Sequence, residues 1–247
     1  KIGTSILDTN GNELALLTAT GSAVNEITLA NGATGDDPTI TASGGDANVG
    51  IEFKTKGTGV IKAEDGGGTV AAVKIAGKET IWVPASAMYP ATSNGCADLA
   101  QVELTAQRPE VKSLDFDASS DEYAQFGVAF PKSWNEGTVT FQTYWSVGGT
   151  NTGTVCFALQ GVAVSSDDTL DVAMGTAVPN TALAASGTAN DLMVNAESGA
   201  VTIGGSPAAG DECFFNIFRD VSADDQTSDA RLVGLKLFYT TDAANDV

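Results

Sequence analysis

Gly137–Val147 reads Gly-Thr-Val-Thr-Phe-Gln-Thr-Tyr-Trp-Ser-Val. Val139, Phe141, Trp145 and Val147 point one way, and Thr138, Thr140, Gln142 and Ser146 point the other, joined by Tyr144. A strand turns successive side chains to opposite faces, so this period of two describes a strand with one face in a core and one in water. Working outward, the same pattern groups Phe126, Val128 and Phe130 within 122–130, and Val233, Leu235, Leu237 and Tyr239 within 231–241. Segments 154–164 and 211–219 are more continuously apolar, as strands covered on both faces are. Shorter candidates lie at 81–84, 102–106, 111–116, 192–196 and 200–203. These strands, without a helical period, predict a jelly-roll-like β-sandwich over 79–247. The aromatic-free stretch 168–190 is expected to be a long surface excursion between strands.

Composition changes near residue 78. Residues 1–78 hold one aromatic, Phe53, of the chain's 17, but 14 of its 28 glycines. Their nine acids and six lysines give a net charge of −3, whereas 79–247 carry −16. Short strand candidates at 13–20, 25–30, 39–43, 50–55, 60–63 and 70–75 alternate with turns such as Asn31-Gly32, Gly44-Gly45 and Gly66-Gly67-Gly68. Asn-Gly and Gly-Gly supply the positive φ of tight turns. Such a segment buries too little surface to stand alone, and its open edges invite other chains. The fold expected for the whole chain is therefore all-β: an N-terminal oligomeric β-stalk of short, Gly-punctuated strands over 1–78, then the sandwich.

Charge and residue usage exclude several functions. The 247 residues include 31 acids, 12 bases and no histidine, for a net charge of −19. Without histidine there is no Ser-His-Asp or Cys-His nucleophile pair and no His-ligated metal. Nucleic-acid binding needs clustered Lys and Arg, so no nucleic-acid partner is expected. No apolar run is long enough to cross a bilayer and no leader pattern opens the sequence, so neither membrane insertion nor a secretory signal is expected. Cys96, Cys156 and Cys213 form an odd set without ligand spacing, and free thiols are expected.

A resemblance rests on residues 5–65. The text Thr39-Ile-Thr-Ala-Ser-Gly-Gly-Asp-Ala-Asn-Val-Gly-Ile-Glu-Phe-Lys-Thr-Lys-Gly-Thr-Gly-Val-Ile-Lys-Ala-Glu-Asp65 joins a Gly-Asp-x-Asn turn, an alternating strand and Lys-Gly-Thr-Gly-Val. It resembles a recurrent stalk motif of tailed-bacteriophage fibre and spike proteins. Leu7-Asp-Thr-Asn-Gly-Asn-Glu-Leu14 and Ala23-Val-Asn-Glu-Ile-Thr-Leu-Ala-Asn31 fit the same pattern. The resemblance implies a non-enzymatic virion protein, a tail fibre, head fibre or capsid decoration, assembled in the bacterial host cytoplasm. It implies a homotrimer that meets other virion proteins through its N-terminal segment and turns its sandwich toward host-surface glycans. The alternative is a bacterial surface or secreted carbohydrate-binding module, and a glycan depolymerase is a third reading.

Candidate sites follow from side-chain chemistry. Sugar rings stack on aromatic platforms edged by polar groups, which draws attention to Trp82, Trp134 and Trp145 with Tyr89, Tyr123, Tyr144 and Tyr239. Trp145 alternates with core residues and is expected inside; Trp134, on a turn between Pro131 and Gly137, is the best exposed glycan- or receptor-binding candidate, the other reading being a loop tryptophan that caps the sandwich. Asp115, Asp117 and Asp121 crowd one turn, and calcium takes six to eight oxygens. That acidic cluster is the leading metal candidate, with a solvated turn between two strands as the other reading; Asp167 and Asp168 with Asp171, and Asp224 and Asp225 with Asp229, are weaker versions, and no other cofactor and no catalytic residue is expected.

Overall fold

A computed structural model describes residues 5–18, 20–63 and 77–241. Contacts divide the chain into two units, Lys1–Lys62 and Ala63–Val247. The division falls ahead of the composition break at 78, because Gly77 and Lys78 already pair with Thr241 and Thr240 in the second unit.

In the first unit, β1 (Ser5–Leu7) pairs antiparallel with β2 (Glu13–Leu16). The turn between them closes on the Asp8 carboxylate, which accepts from the backbone N–H groups of Asn10 and Asn12 at 2.9 and 2.8 Å. A second antiparallel pair joins β3 (Asn25–Ala30) to β4 (Thr39–Gly44). Segments 50–55 and 60–63, expected as strands, join no ladder. The candidate at 70–75 lies outside the described residues. The buried apolar core of the described chain begins only at Val83, so the first unit builds none. An isolated two-stranded pair has no second layer to pack against, which is what its small, ring-poor composition foretold.

The second unit is a β-sandwich. Its strands are β5 (Gly77–Pro84), β6 (Tyr89–Pro90), β7 (Ala100–Glu103), β8 (Glu110–Phe116), β9 (Tyr123–Ala129) and β10 (Thr140–Ser146). They continue with β11 (Thr154–Val155), β12 (Phe157–Val164), β13 (Val178–Pro179), β14 (Leu183–Ala184), β15 (Met193–Val194), β16 (Glu212–Arg219) and β17 (Ala230–Thr241). One sheet runs β15-β10-β17-β8-β7, with β5 also on β17; the other runs β13-β12-β16-β9-β6, and β11 pairs with β14. No helix of the described residues is long and apolar enough to cross a membrane.

The core lies between the sheets. Val139, Phe141, Trp145 and Val147 are all buried, as the alternation requires. Phe116 meets Phe157 edge-on with centroids 5.5 Å apart, and Phe126 stacks on Phe215 at 5.2 Å. Most polar atoms taken inside are paired; among the described residues the exceptions are Trp134 Nε1 and Asn216 Oδ1. Asn195 Oδ1 accepts from Trp145 Nε1 and from Thr143 Oγ1, and Asn195 Nδ2 donates to the carbonyls of Val155 and Thr181. Cys96, Cys156 and Cys213 are free thiols, all buried. The excursion at 168–190 does run largely without ladders, but it includes the short strands β13 and β14.

Candidate functional site

The inner face of the second sheet is committed to the core, which leaves its outer face to be read. Along β9 the buried Ala124, Phe126 and Val128 alternate with Tyr123, Gln125 and Gly127. Along β16 Cys213, Phe215 and Ile217 go inward, so Phe214, Asn216 and Phe218 face out. Register then brings four residues from four strands into one row: Gln160 opposite Asn216, Asn216 opposite Gln125, and Gln125 opposite Tyr89. The flanking rows are Ala158, Phe218 and Tyr123 on one side and Val162, Phe214 and Gly127 on the other. A stripe of three amides ending in a phenol thus crosses the sheet between two less polar rows.

This face is a groove. One compartment of about 480 Å³ is lined by Tyr89, Tyr123, Gln125 and Asn216, with residues 90–93 as its wall. A second compartment of about 280 Å³ shares Tyr89 and Gln125 and is closed by Phe214, Val162 and the excursion residues Leu170, Val172 and Met174. Neither compartment is lined by a charged side chain. Tyr89, on the edge strand, is 49% exposed and presents its ring to solvent.

The wall is anchored to β9. Tyr123 accepts on its carbonyl from the N–H groups of Ala91 and Cys96, at 3.0 and 3.2 Å, and its own N–H donates to the Asn94 carbonyl at 2.8 Å. Gly95 makes this possible: a Cβ there would lie 2.1 Å from the carbonyl oxygen of Ala91. The Tyr123 ring leans on Phe218 with centroids 4.9 Å apart. Burial, then the charges of Asp121 and Asp220, push its phenol pKa up, so the hydroxyl keeps its proton and can donate.

Asn216 carries the clearest signal. It is 8% exposed, it lines the groove, and its Oδ1 has no hydrogen-bond partner. A buried amide oxygen left unpaired costs about 1–3 kcal/mol.

The expected site residues lie elsewhere. Trp134 is corrected from exposed to buried: it is 3% exposed, and its ring stacks on Phe130 at 4.2 Å. Bridging of Trp134 to Thr241, and a bond from the Asn135 N–H to the Thr240 carbonyl, pull its turn onto β17. Asp115, Asp117 and Asp121 do not converge. Asp115 meets Arg231 at 3.5 Å, Asp117 accepts from Ser119 N–H at 2.6 Å, and Asp121 accepts from the Val221 N–H at 3.0 Å. Each carboxylate is satisfied by a separate neighbour, and no acidic cluster able to hold a metal occurs among the described residues. Trp145 is fully buried, as expected. Trp82 is 45% exposed, but it stands on the other sheet, edge-on to Tyr144 at 5.1 Å. Of the aromatics considered, Tyr89 and Tyr123 are the two that the groove assembles. Gln125, Gln160 and Asn216 carried no signal in the sequence, since their adjacency depends on the register of three strands.

No family model matches the chain, and no curated protein matches it. Among solved structures it is similar to the C-terminal CBM6 of LamC, a marine laminarinase from Zobellia galactanivorans, at 12% identity and a TM-score of 0.33, over 64% of this chain and 98% of that one. It is similar to Caldicellulosiruptor saccharolyticus CBM27-1, determined with mannohexaose, at 10% identity and a TM-score of 0.35, over 64% and 96%. A CBM28 module specific for non-crystalline cellulose aligns at 13% identity and a TM-score of 0.33, over 79% and 98%. These are weak superpositions, and the groove's own residues carry the functional reading.

Proposed function

We propose that the second unit is a non-catalytic carbohydrate-binding sandwich that holds an uncharged glycan across the outer face of its second sheet. The observation that carries this reading is the buried, unpaired Asn216 Oδ1 in a groove edged by Tyr89 and Tyr123. Sugars offer apolar C–H faces and many hydroxyls on one small ring. A phenol ring takes the first and an amide row takes the second, accepting through its oxygens and donating through its NH₂ groups. The absence of charge from the lining favours a neutral sugar over a uronate, a sulfate ester or a phosphate.

Affinity electrophoresis tests this reading. The full chain is run through gels containing soluble neutral polysaccharides: a β-1,3-glucan, a β-1,4-glucan, a mannan and a galactan. Retardation by at least one, lost in Tyr89→Ala, is expected. Unretarded migration in all four gels contradicts the reading.

The first unit favours a setting for this module. Thirteen of its large apolar side chains, from Ile6 to Ile61, stand exposed and need partners. We propose, as the stalk motif implies, that the chain is a homotrimeric fibre or decoration of a tailed-phage virion, whose first unit meets other virion proteins and whose groove meets host-surface glycans. A bacterial surface or secreted module is the other setting. Electron microscopy of phage particles labelled with an antibody against this chain separates the two.

A further inference from the structure

We infer that copies of this chain associate through the apolar face of the β3–β4 hairpin. The antiparallel register places Ile27 opposite Ala42 and Leu29 opposite Ile40, so the four share one face. Ile27, Leu29 and Ile40 are 51%, 73% and 60% exposed. The other face is already satisfied: Thr28 and Ser43 hydroxyls lie 2.8 Å apart, and Ser43 donates to Glu26 at 3.2 Å. One side of the hairpin is thus a closed polar layer and the other an uncovered apolar one. A hairpin of two strands has no independent stability in water without a covering layer.

Area and charge identify the cover as another first unit. The hairpin face offers Ile27, Leu29 and Ile40, and ten further exposed large apolar side chains of the unit lie outside it, so an interface of about 800 Å² per partner draws on both. A unit that also leaves Leu14, Leu16, Phe53, Val60 and Ile61 exposed matches another copy of itself in apolar character. Its charge is divided along the sequence. From Ser5 to Asp46 there are six acids and no base, whereas 47–62 carry Lys54, Lys56 and Lys62 against Glu52. The basic stretch of one copy therefore complements the acidic hairpins of the next, a head-to-tail contact that closes when the rotation between copies closes. The second unit, at −16 over residues 79–247, supplies repulsion and not attraction between copies.

Light scattering behind a sizing column, on the full chain at micromolar concentration, tests the inference. The inference rests on the homotrimer proposed above, so the expected mass is three times 25.1 kDa; a mass of twice 25.1 kDa would overturn the trimer and leave the hairpin contact standing. The double variant Leu29→Lys/Ile40→Lys is expected to run at the mass of one chain, while near-ultraviolet dichroism of its aromatic-rich sandwich stays unchanged. Thr41→Lys, on the satisfied face, is expected to keep the parent mass, and Leu29→Ala to weaken association by about tenfold or more. A monomeric parent chain overturns the inference. So does an oligomer that survives the double variant, or one that Thr41→Lys disrupts equally.

Discussion

Asn216 and Gln125 stand directly opposite each other on neighbouring antiparallel strands, both facing the groove, and the buried Oδ1 of Asn216 is left without a donor. An asparagine kept for stability would spend that oxygen on the protein. Here the sandwich bears the cost of an unpaired acceptor on a residue that lines the groove. Asn216→Leu should therefore leave the midpoint of thermal unfolding unchanged or raise it, while glycan affinity falls about 5- to 150-fold, as loss of about 1–3 kcal/mol implies. Scanning calorimetry and binding titration of the same variant separate the two effects. A marked fall in melting temperature with unchanged binding would make Asn216 a structural residue.

Gly95 controls the groove wall without touching its interior. Adding a Cβ 2.1 Å from the Ala91 carbonyl forces residues 91–95 to move away from Tyr123. Gly95→Ala is expected to weaken glycan binding several-fold and to cost about 1–3 kcal/mol of stability. Urea unfolding followed by tryptophan fluorescence reads the second term, and titration the first.

Arg219 and Asp224 are joined twice, Nε to Oδ2 at 2.8 Å and Nη2 to Oδ1 at 3.1 Å, with both side chains out of water. The guanidinium also donates to the carbonyls of Phe116, Asp117 and Ser228, which ties the end of β16 to the end of β8 and to the loop before β17. Arg219→Met leaves a buried carboxylate alone and is expected to cost about 3–5 kcal/mol. Arg219→Met/Asp224→Leu removes both charges and is expected to recover part of that loss in denaturant unfolding.

The thiols should be inert in the folded protein. Burial raises Cys96 and Cys213 to about 12 and Cys156 to about 11, from an ordinary value of 9.0, with nearby carboxylates adding to the shift. Little thiolate exists at pH 8, so iodoacetamide should label none of the three until urea is added. The same shifts set an alkaline limit. The folded state holds these protons more tightly than the unfolded state, so their contribution is intact below pH 9 and declines as pH rises from 9 toward 11–12. Tyr123 and Tyr239, raised chiefly by burial, act in the same direction above pH 10. Melting temperatures should stay level from pH 7 to about pH 9 and fall from there to pH 11.

The sandwich was legible wherever one strand sufficed to decide it. Alternation alone places Phe141 and Trp145 inside, and of the apolar run 154–164, expected as one covered strand, residues 157–164 form a strand buried almost throughout while 154–155 pair separately with β14. Trp134 misled because its turn looks exposed locally, whereas a bridge to Thr241, over a hundred residues away, folds it into the core. In the acidic turn closeness in sequence did not bring convergence: Asp115 and Asp121 turn to Arg231 and to Val221, which agrees with its reading as a turn between strands. The groove was the least legible feature. Its lining residues Tyr89, Gln125 and Asn216 come from three separate strands, and only the register of the finished sheet sets them in a row, with Gln160 next along it. In the first unit the ring-poor composition correctly signalled the missing core, while glycine spacing overstated the strands at 50–55 and 60–63.

The groove reading is tested most directly by side-chain amide resonances. The full chain, labelled with nitrogen-15, is titrated with the soluble polysaccharide that retards it in the gel. The NH₂ signals of Asn216, Gln125 and Gln160 are assigned by their loss in Asn216→Leu, Gln125→Ala and Gln160→Ala. The account predicts that these three signals move together and saturably, with the backbone signals of Tyr89 and of residues 91–93, while Trp82 on the opposite sheet stays fixed. Saturable shifts at Trp82 with the amide row unmoved would contradict it.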